Sequence, residues 1–441
     1  MRPSLPGGPY LIVGLARSGI AAALALRARG EEVIGVDSGT PAALGELVET
    51  GVELHLNERG SDLLARVRSV VKSPGVPSSA AVVGAARERG MPLLGELELG
   101  WRLLANEFIA VTGTNGKTTT VALIESIHRE AGAPAAIAGN VGIALSSLAG
   151  SVDEAATIVC EASSFQLEDT IDFAPEAAVL LNVSPDHLDR HSTFEDYLKA
   201  KLEIFARQGN DDVAVAPLGL GVEDLGGCAR RVCFGSGPGA ALSEEAGQLW
   251  WDERPLLPLS ELRLRGRHNV QNAMAAAAVC LARGIDEEAV RAALRTFAGV
   301  AHRLEEVARH GGVLFVNDSK ATNVASTLVA LEAFEGDRGV HLILGGQGKD
   351  QDFRTLRDGV ERSCEAVYLI GQDAPTIAAA IAGARTPVHM CGELERAVRE
   401  ASRAAVAGQV VLLSPACASF DQFADFEARG ERFRMLVLEG S

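Results

Sequence analysis

The sequence has few aromatic residues, no excess of positive charge and no long hydrophobic segment. Only three Trp and three Tyr occur among 441 residues, and the formal net charge is -17 at pH 7. Proteins that bind nucleic acid need a basic surface and usually aromatic side chains that stack on bases, so this composition argues against a nucleic-acid partner. Anionic ligands must instead be held by local lysines and main-chain amides.

Membrane insertion, secretion and a disulfide framework are also not expected. The longest nearly uninterrupted apolar run extends from Ala273 to Ala282, far short of the roughly 20 residues that span a bilayer. The amino terminus has no charged-then-apolar leader with a cleavage site. The seven cysteines are scattered and form no CxxC pair, which favours reduced thiols, most of them in the core, and a cytoplasmic enzyme.

Strands alternate with helices along the whole chain, which is typical of α/β domains with mostly parallel sheets. A prior of about 150 residues per domain suggests three domains for this length. Changes in pattern place them at residues 1–97, 98–300 and 301–441.

The segment 108–120, FIAVTGTNGKTTT, runs from an apolar strand into a glycine-rich turn. Val111 stands where the common GxxxxGK[ST] pattern has its first glycine. In such loops the glycines let main-chain amides approach phosphate oxygens, Lys117 would neutralise their charge, and the Thr118 hydroxyl would ligate Mg²⁺. The segment therefore predicts a triphosphate site at the start of the following helix.

The first segment begins with a second nucleotide-type turn between two strands. Gly14, Ala16 and Gly19 occupy the three positions of GxGxxG, and Asp37 closes the second strand where a ribose could lie. A further strand-end loop, SPGV, starts at Ser73. This pattern is compatible with an NAD site, with a site for another nucleotide and with a purely structural turn.

In the second segment, strands are expected at 157–161 and 177–182, and both end in polar residues. Ligands of open α/β sheets collect at the carboxyl ends of strands, so Lys117, Glu161 and His187 are expected to converge.

The next helix carries a lysine inside its apolar stripe. Ser192 and Glu195 are expected to form a capping box, and Lys201 lies four residues after Tyr197 on the apolar face. A lysine there reaches outward, pairs with a carboxylate, or loses its proton. A neutral amine beside a metal can react with CO₂ to form a carbamate.

The third segment repeats a strand followed by a polar loop three times, in VLFVNDSKATN, HLILGGQGKD and VVLLSPACASFDQF. A doubly wound sheet would bring their polar residues to one edge, namely Asp318, Lys320, Thr322, Lys349 and Ser419. A triphosphate site, an acidic metal site and a cationic crevice together suit ATP-driven joining of a carboxylate to an amine, through an acyl phosphate.

Nine motifs, taken in their order along the chain, resemble those of the Mur ligases of peptidoglycan synthesis. Within that family, the chain most resembles the ligases that add D-glutamate. The nine motifs are TGTNGKTT, EASSFQLE, DHLDRH, AKLEIF, RHNVQNAMAAA, HRLE, NDSKATN, GGQGKD and SPACASFDQF. The resemblance extends from Gly14 to Phe433. It implies a Rossmann-like UDP-binding domain, a central P-loop ATPase domain with a mostly parallel sheet, and a Rossmann-like carboxy-terminal domain that closes over the site.

The resemblance also implies roles for individual residues. Catalysis would depend on Lys117, Glu161, His187 and a carbamylated Lys201, and the ligands of Mg²⁺, in two sites, would come from Thr118, Glu161, His187 and Lys201. ATP would be held by Gly113, Thr114, Asn115, Gly116, Lys117, Thr118, Thr119, Asn140, Asn272, Arg303, Asp318 and Lys320. The UDP-sugar would be bound by Gly14, Ala16, Arg17, Ser18, Asp37, Ser73, Asn140, Ser163, Gln166 and His187. D-glutamate would be bound by Lys320, Thr322, Lys349, Ser419 and Phe426.

This chain departs from the common family forms at Ala16, at the DSG of residues 37–39 and at Gln347. The implied reaction adds D-glutamate to UDP-N-acetylmuramoyl-L-alanine with release of ADP and phosphate, by a cytoplasmic monomer. Three alternatives are another Mur or folylpolyglutamate-type ligase, an NAD(P)-dependent oxidoreductase, and a non-catalytic ATP-binding switch.

Overall fold

The computed structural model describes residues 2–186, 190–220, 225–334, 339–348 and 351–439. The chain divides into two compact units. The first unit comprises Met1–Leu262 with His268–Thr296, and the second comprises Arg263–Arg267 with Phe297–Ser441. The expected boundaries at 97/98 and 300/301 stay predictions.

The first unit contains two sheets, and the amino-terminal one has five parallel strands in the order β3-β2-β1-β4-β5. Its strands are β1 (Tyr10–Val13), β2 (Val33–Asp37), β3 (Glu53–Leu56), β4 (Ser69–Lys72) and β5 (Leu93–Gly95). The helices are α1 (Arg17–Ala28), α2 (Gly45–Glu49), α3 (Ala81–Glu88) and α4 (Glu96–Leu103), with a 3₁₀ turn at Ser61–Arg66.

The turn between β1 and α1 needs glycine at two positions. Gly14 has φ +88°, in the left-handed region that favours glycine. A Cβ on Gly19 would lie 1.8 Å from the Gly14 carbonyl oxygen, so only glycine lets α1 approach the turn. The βαβ pattern expected at this turn is therefore confirmed, and Asp37 ends β2 as predicted.

The second sheet of this unit has nine strands in the order β14-β13-β12-β11-β10-β9-β6-β8-β7. Its strands are β6 (Phe108–Thr112), β7 (Ala135–Gly139), β8 (Thr157–Glu161), β9 (Ala177–Leu180), β10 (Val213–Pro217), β11 (Arg230–Gly235), β12 (Leu242–Glu245), β13 (Gln248–Trp251) and β14 (Arg254–Pro258). The helices are α5 (Lys117–Glu130), α6 (Ser164–Leu167), α7 (Phe194–Leu202), α8 (Arg267–Ala282) and α9 (Glu287–Thr296), with 3₁₀ turns at Leu145–Leu148 and Leu259–Glu261.

Strand β6 lies in the middle of the parallel part of this sheet, between β8 and β9. All five residues of β6 are buried, as its continuous apolar sequence requires. The loops that follow β6, β8 and β9 therefore leave the sheet at the same edge, which brings the glycine-rich turn beside Glu161.

The second unit has a six-stranded sheet in the order β15-β16-β20-β17-β18-β19, parallel except for β15. Its strands are β15 (Glu305–His310), β16 (Val313–Asn317), β17 (Val340–Gly345), β18 (Cys364–Ile370), β19 (Val388–Gly392) and β20 (Val410–Leu413). The helices are α10 (Val324–Glu332), α11 (Leu356–Ser363), α12 (Ala374–Ala380), α13 (Leu394–Ala404) and α14 (Phe426–Glu439), with a 3₁₀ turn at Phe353–Thr355.

Strands β16, β20 and β17 are neighbours in this sheet, and they are the three strands predicted to end in polar loops. Their parallel order brings those loops to one edge, as the sequence indicated. In none of the helices within the described ranges does an apolar stretch reach the length that crossing a bilayer requires.

The predicted capping box of α7 is wrong. The N-cap residue is Thr193, whose Oγ1 accepts a hydrogen bond from the Asp196 amide at 3.1 Å. Thr193 replaces Ser192 in this role because the helix starts one residue later, at Phe194. The Thr193 hydroxyl in turn donates to Asp196 Oδ2 at 2.9 Å, so Asp196 and not Glu195 completes the cap.

We predict that Phe173→Ala destabilises the first unit by about 3–5 kcal/mol, the usual cost of removing a buried phenyl ring. Phe173 is fully buried, and its ring meets Trp101 and Phe108 edge-on at centroid distances of 5.8 and 6.4 Å. Denaturant unfolding measures the loss. Ile171→Ala, at a side chain 43% exposed, is the control, and an equal effect of both variants would contradict this packing.

Candidate active site

The glycine-rich turn is hydrogen-bonded to Asn182, which follows strand β9. The Thr114 amide donates to the Asn182 carbonyl oxygen at 3.0 Å, and the Asn115 amide donates to Asn182 Oδ1 at 2.9 Å. Gly113 has φ +154° and Gly116 has φ +86°. The turn ends directly on α5, with Gly116 as N-cap and Lys117 and Thr118 in the first helical turn, so amides and a cation share the anion-binding end of a helix.

Two lysine ammonium groups meet at one carbonyl of this turn. Lys117 Nζ donates to the carbonyl oxygens of Gly113 at 2.9 Å and Thr114 at 3.0 Å. Lys201 Nζ, from α7, donates to the same Gly113 oxygen at 2.8 Å. The sequence predicted that Lys117 belongs to this loop, but the convergence of both lysines on Gly113 has no local sequence signal.

Lys201 is buried, with 1% of its surface exposed, so it does not reach outward to solvent. Its ammonium lies 4.4 Å from the centre of the Tyr197 ring, and Lys199 on the same helix is exposed. The pKa of the Lys201 ammonium is lowered to about 7, mainly by burial and also by the nearby Lys117 charge, while the Asp186 charge acts in the opposite direction. An amine with this pKa is partly neutral at physiological pH.

The Glu161 carboxylate is held by one hydrogen bond at each oxygen. Thr118 Oγ1 donates to Oε2 at 2.8 Å, and Asn140 Nδ2 donates to Oε1 at 3.0 Å. The Asn140 amide also donates to the Glu161 carbonyl oxygen at 2.8 Å. Thr118, Glu161 and Asn140, which are far apart in sequence, thus form one chain of contacts at the carboxyl ends of β6, β7 and β8.

Asn272, on α8, lies against the end of the turn. A Cβ on Gly116 would be 2.1 Å from Asn272 Oδ1, and Asn272 is fixed by a 3.1 Å hydrogen bond from its Nδ2 to Asn269 Oδ1. Asn272 was predicted beside the nucleotide on resemblance alone, and the structure brings it to the turn. Thr119 follows in α5 and is buried.

The oxygen set of Thr118 and Glu161 suits a hard divalent cation such as Mg²⁺, which prefers hydroxyl and carboxylate ligands. In the part of the chain that is described, no three His, Cys, Asp or Glu side chains cluster as a complete protein-only metal site would require. Mg²⁺ commonly binds through one or two protein groups together with phosphates and water. His187 lies outside the described residues.

A cavity of about 690 Å³ opens beside this chain of contacts. One wall comes from the loops after β1, β2 and β4, and the other comes from residues that follow β7 and from α6. The predicted substrate-binding residues that line it are Gly14, Ala16, Arg17, Ser18, Asp37, Ser73, Asn140 and Gln166. Asn140 therefore touches both the cavity and the Glu161 carboxylate.

Several contacts fix the walls of this cavity. Asp37 accepts hydrogen bonds from the amides of Leu15 at 2.7 Å and Gly39 at 2.8 Å. The Ser73 hydroxyl donates to the Gly14 carbonyl oxygen at 2.7 Å. Ser163, which is absent from the lining, forms a capping box with Gln166 at the start of α6.

Sequence reasoning missed Glu58 and Arg59, which also line the cavity. They follow β3 in the segment NERG, where Gly60 has φ +77°. The rule that polar residues after parallel strands gather at one edge applies to β3 as it does to β2. It could have found them.

In the second unit, Asp318 follows β16 and is buried. It accepts hydrogen bonds from the Ser414 hydroxyl at 2.8 Å and the Leu304 amide at 3.2 Å. Burial raises the pKa of the Asp318 carboxyl to about 7, while these two hydrogen bonds and the Arg303 charge act in the opposite direction. Arg303 and Asp318, both predicted for the nucleotide, are thus electrostatically coupled.

The residues predicted for the amino acid gather on the same edge of this sheet. The Lys320 ammonium lies 4.0 Å from the centre of the Phe426 ring, the Thr322 amide donates to the Lys320 carbonyl oxygen at 2.8 Å, and Ser419 is buried. Lys349 lies outside the described residues. Gln347 exchanges main-chain hydrogen bonds of 2.9 Å with Ala418.

Arg429 fixes the two loops that carry Lys320 and Ser419, and no motif around Arg429 predicts this role. It is 1% exposed, and its guanidinium donates to Ser319 Oγ at 2.9 Å and to three carbonyl oxygens, those of Ser319 at 2.9 Å, Cys417 at 3.0 Å and Ala418 at 3.3 Å. Burial lowers the pKa of this guanidinium to about 10.

Three family profiles match successive parts of the chain. A "Mur ligase MurD-like, N-terminal domain" matches residues 9–95, a "Mur ligase middle domain" matches residues 111–221, and a "Mur ligase, glutamate ligase domain" matches residues 302–417. They confirm the predicted three-domain α/β fold.

Relatives of known name match along nearly the whole length. The chain is 42% identical to the UDP-N-acetylmuramoylalanine--D-glutamate ligase of Acidobacterium capsulatum, with 98% of this chain and 97% of the relative covered. It is also 42% identical to the enzyme of the same name from Anaeromyxobacter dehalogenans, with 99% of both covered.

Solved structures share the fold at lower identity. The UDP-N-acetylmuramate-alanine ligase MurC of Thermotoga maritima superposes with a TM-score of 0.62 at 19% identity, covering 98% of this chain and 100% of that one. The MurF ligase of the same organism, solved with ADP, gives 0.59 at 17% identity, covering 99% and 96%. With the profiles and the relatives, this confirms the resemblance read from the motifs, and the chain belongs to the Mur ligase family, as a ligase of the MurD-like type.

Proposed function

We propose that this protein uses ATP to join the L-alanyl carboxylate of UDP-N-acetylmuramoyl-L-alanine to the amine of D-glutamate, in the cytoplasm. The carboxylate oxygen attacks the γ-phosphorus of ATP, ADP leaves, and an acyl phosphate results. The amine nitrogen then forms the amide bond, loses a proton, and displaces phosphate.

The observation that carries this proposal is the chain of contacts from Thr118 through Glu161 to Asn140. It joins the phosphate-binding turn to a cavity large enough for a nucleotide sugar. A carboxylate bound at the Asn140 side of the cavity would therefore meet a phosphate bound at the turn, which is the juxtaposition that phosphoryl transfer needs.

The charges around the turn suit the transferring phosphoryl group. Lys117 and the amides at the start of α5 would stabilise the negative charge that gathers on it. Thr118 and Glu161 would hold Mg²⁺, with His187 as a further ligand and Lys201 completing a second site. When bound, Mg²⁺ would neutralise phosphate charge and orient the phosphate oxygens.

Lys201 is proposed to act as a carbamate. Its amine, with a pKa of about 7, is neutral often enough to attack CO₂, forming an N–C bond and releasing one proton. This replaces a cation by a carboxylate-like group. The change also removes the repulsion between the two ammonium groups at the Gly113 carbonyl.

The second unit is proposed to bind D-glutamate. Lys320, Thr322 and Ser419, with Lys349 and the ring of Phe426, would receive its two carboxylates, because ammonium and hydroxyl groups are strong donors to carboxylate oxygens. Arg303 and Asp318 are proposed to contact ATP.

The relatives' names favour this reaction over the folylpolyglutamate-type and oxidoreductase alternatives. The expectation of a monomer stays a prediction.

We expect phosphate release from ATP, Mg²⁺ and the UDP-linked substrate to require D-glutamate. Wild-type protein should release phosphate with D-glutamate and at most a background amount with L-glutamate or without an amino acid. A colorimetric phosphate assay measures this, with folate substrates as the control for the folylpolyglutamate alternative. Equal release with L-glutamate would contradict the assignment.

Lys201→Ala should lower kcat by at least about a hundredfold, since it removes a group that acts on the transferring charge. Acetate or bicarbonate should restore part of the activity. Carbon-13 NMR with labelled bicarbonate should show a carbamate signal that grows as the pH rises through about 7, because only the neutral amine reacts. Lys199→Ala, exposed on the same helix, is the control, and a fully active Lys201→Ala would reject the carbamate.

Gly116→Ala should weaken ATP binding by at least about tenfold, equivalent to about 1.4 kcal/mol. The new Cβ would meet Asn272 Oδ1 at 2.1 Å and distort the turn. Gly132→Ala is a matched control at the other end of α5, because it also has positive φ, +68°, but no atom within 4 Å of the new Cβ. Calorimetric titration with MgATP measures both, and equal affinities would contradict the role of this turn.

A further inference from the structure

A fully buried lysine contacts two segments that contribute residues to the substrate cavity. Lys72 is the last residue of β4, and its side chain has 0% exposure. Its ammonium is 2.7 Å from Asp169 Oδ2 and donates to the Val76 carbonyl oxygen at 2.8 Å. Lys72 was not among the residues predicted from the sequence to bind a ligand, and it does not line the cavity.

The two partners of this ammonium lie on different segments, each of which contributes residues to the cavity lining. Val76 ends the loop 73–76, which forms part of the amino-terminal wall. Asp169 follows α6, whose Gln166 lines the other wall. One ammonium group therefore joins the segment that carries Val76 to the segment that follows α6.

A second set of contacts, made by more exposed side chains, also connects loop 73–76 to the residues that follow α6. The Arg190 guanidinium donates to the same Val76 oxygen at 3.1 Å and to Glu168 Oε1 at 3.3 Å. The Ser78 hydroxyl donates to Glu168 Oε1 at 3.1 Å. The Val76 carbonyl thus accepts from two cations, and both cations also contact carboxylates that follow α6.

Stability alone does not account for the Lys72–Asp169 pair. Desolvation of two buried charges commonly offsets their attraction, so replacing such a pair by apolar residues is often neutral or stabilising. Asp169 Oδ1 has no hydrogen-bond donor within the described residues, which adds to the cost. What the pair supplies instead is a fixed distance between two segments.

We propose that Lys72 is a positioning residue for the UDP-linked substrate: through Val76 and Asp169 it fixes the width of the cavity between loop 73–76 and α6. The inference rests on the proposed function, because it assigns the cavity to that substrate. Ser73 transmits the constraint to the β1–α1 turn through its hydrogen bond to the Gly14 carbonyl oxygen. Lys72 itself takes no part in the chemical step.

The main test is the double variant Lys72→Met with Asp169→Leu, which removes both charges and leaves neither unpaired. We expect its melting temperature to be equal to or above that of the wild type. Steady-state kinetics should show KM for the UDP-linked substrate raised by about tenfold or more, with KM for ATP and D-glutamate and kcat at saturation within about twofold of wild type. A folded double variant with unchanged KM would overturn the proposal.

Two further variants serve as a second test and as a control. Glu168→Ala removes the acceptor shared by Ser78 and Arg190 at a partly exposed site, so it should fold and raise the same KM by several-fold; an unchanged value would also count against the proposal. Arg102→Met removes another buried cation, which pairs with Glu98 and Asp172 and contacts no residue of loop 73–76 in the described part of the chain. It should lower stability without changing KM.

Calorimetric titration with UDP distinguishes a failure of the proposed function from a failure of the positioning role of Lys72. If wild-type protein neither turns over the substrate nor binds UDP, the proposed function fails and the inference with it. If the wild type binds UDP and the double variant binds it equally well, only the positioning role of Lys72 is wrong.

Discussion

The rest of the first unit's site depends on the hydrogen bonds that the Glu161 carboxylate accepts from Thr118 and Asn140. They join three strand ends of one parallel sheet, so the positions of the turn, the acidic group and the cavity wall are determined together. Each oxygen of the carboxylate accepts one hydrogen bond and therefore retains a lone pair that could bind a cation. The proposed joining of a phosphate site to a carboxylate site follows from this arrangement.

A second constraint is the concentration of positive charge at the Gly113 carbonyl. Two ammonium groups within hydrogen-bonding distance of one oxygen repel each other, and burial of Lys201 makes its charged form costly. Either an anionic ligand or a chemical change at Lys201 relieves this repulsion. A bound polyphosphate would offset this repulsion, and the proposed carbamate at Lys201 would remove it.

Much of the fold could be predicted because its cause is local. The continuous apolar sequence of β6, the glycines of the two turns and the polar residues after β8, β16 and β20 each have a short-range signature, and parallel topology then brings strand ends together. Contacts made across the fold had no such signature. Lys72 and Arg429 look like ordinary strand-end and helix-surface residues in sequence, and two of the residues that they contact, Asp169 and Ser319, are about a hundred residues away along the chain. The cap at Thr193 was missed because Ser192 and Thr193 are both good N-cap residues, and only the position of the first helical turn decides between them.

If the substrate carboxylate is phosphorylated before the amine attacks, one of its oxygen atoms must leave with the phosphate, and isotope labelling can follow that oxygen. UDP-N-acetylmuramoyl-L-alanine labelled with oxygen-18 in both carboxylate oxygens is turned over with ATP and D-glutamate, and the phosphate and the amide product are analysed by mass spectrometry. Formation of an acyl phosphate predicts one labelled oxygen in the released phosphate and one in the new amide. Phosphate that carries no label would mean that no acyl phosphate forms.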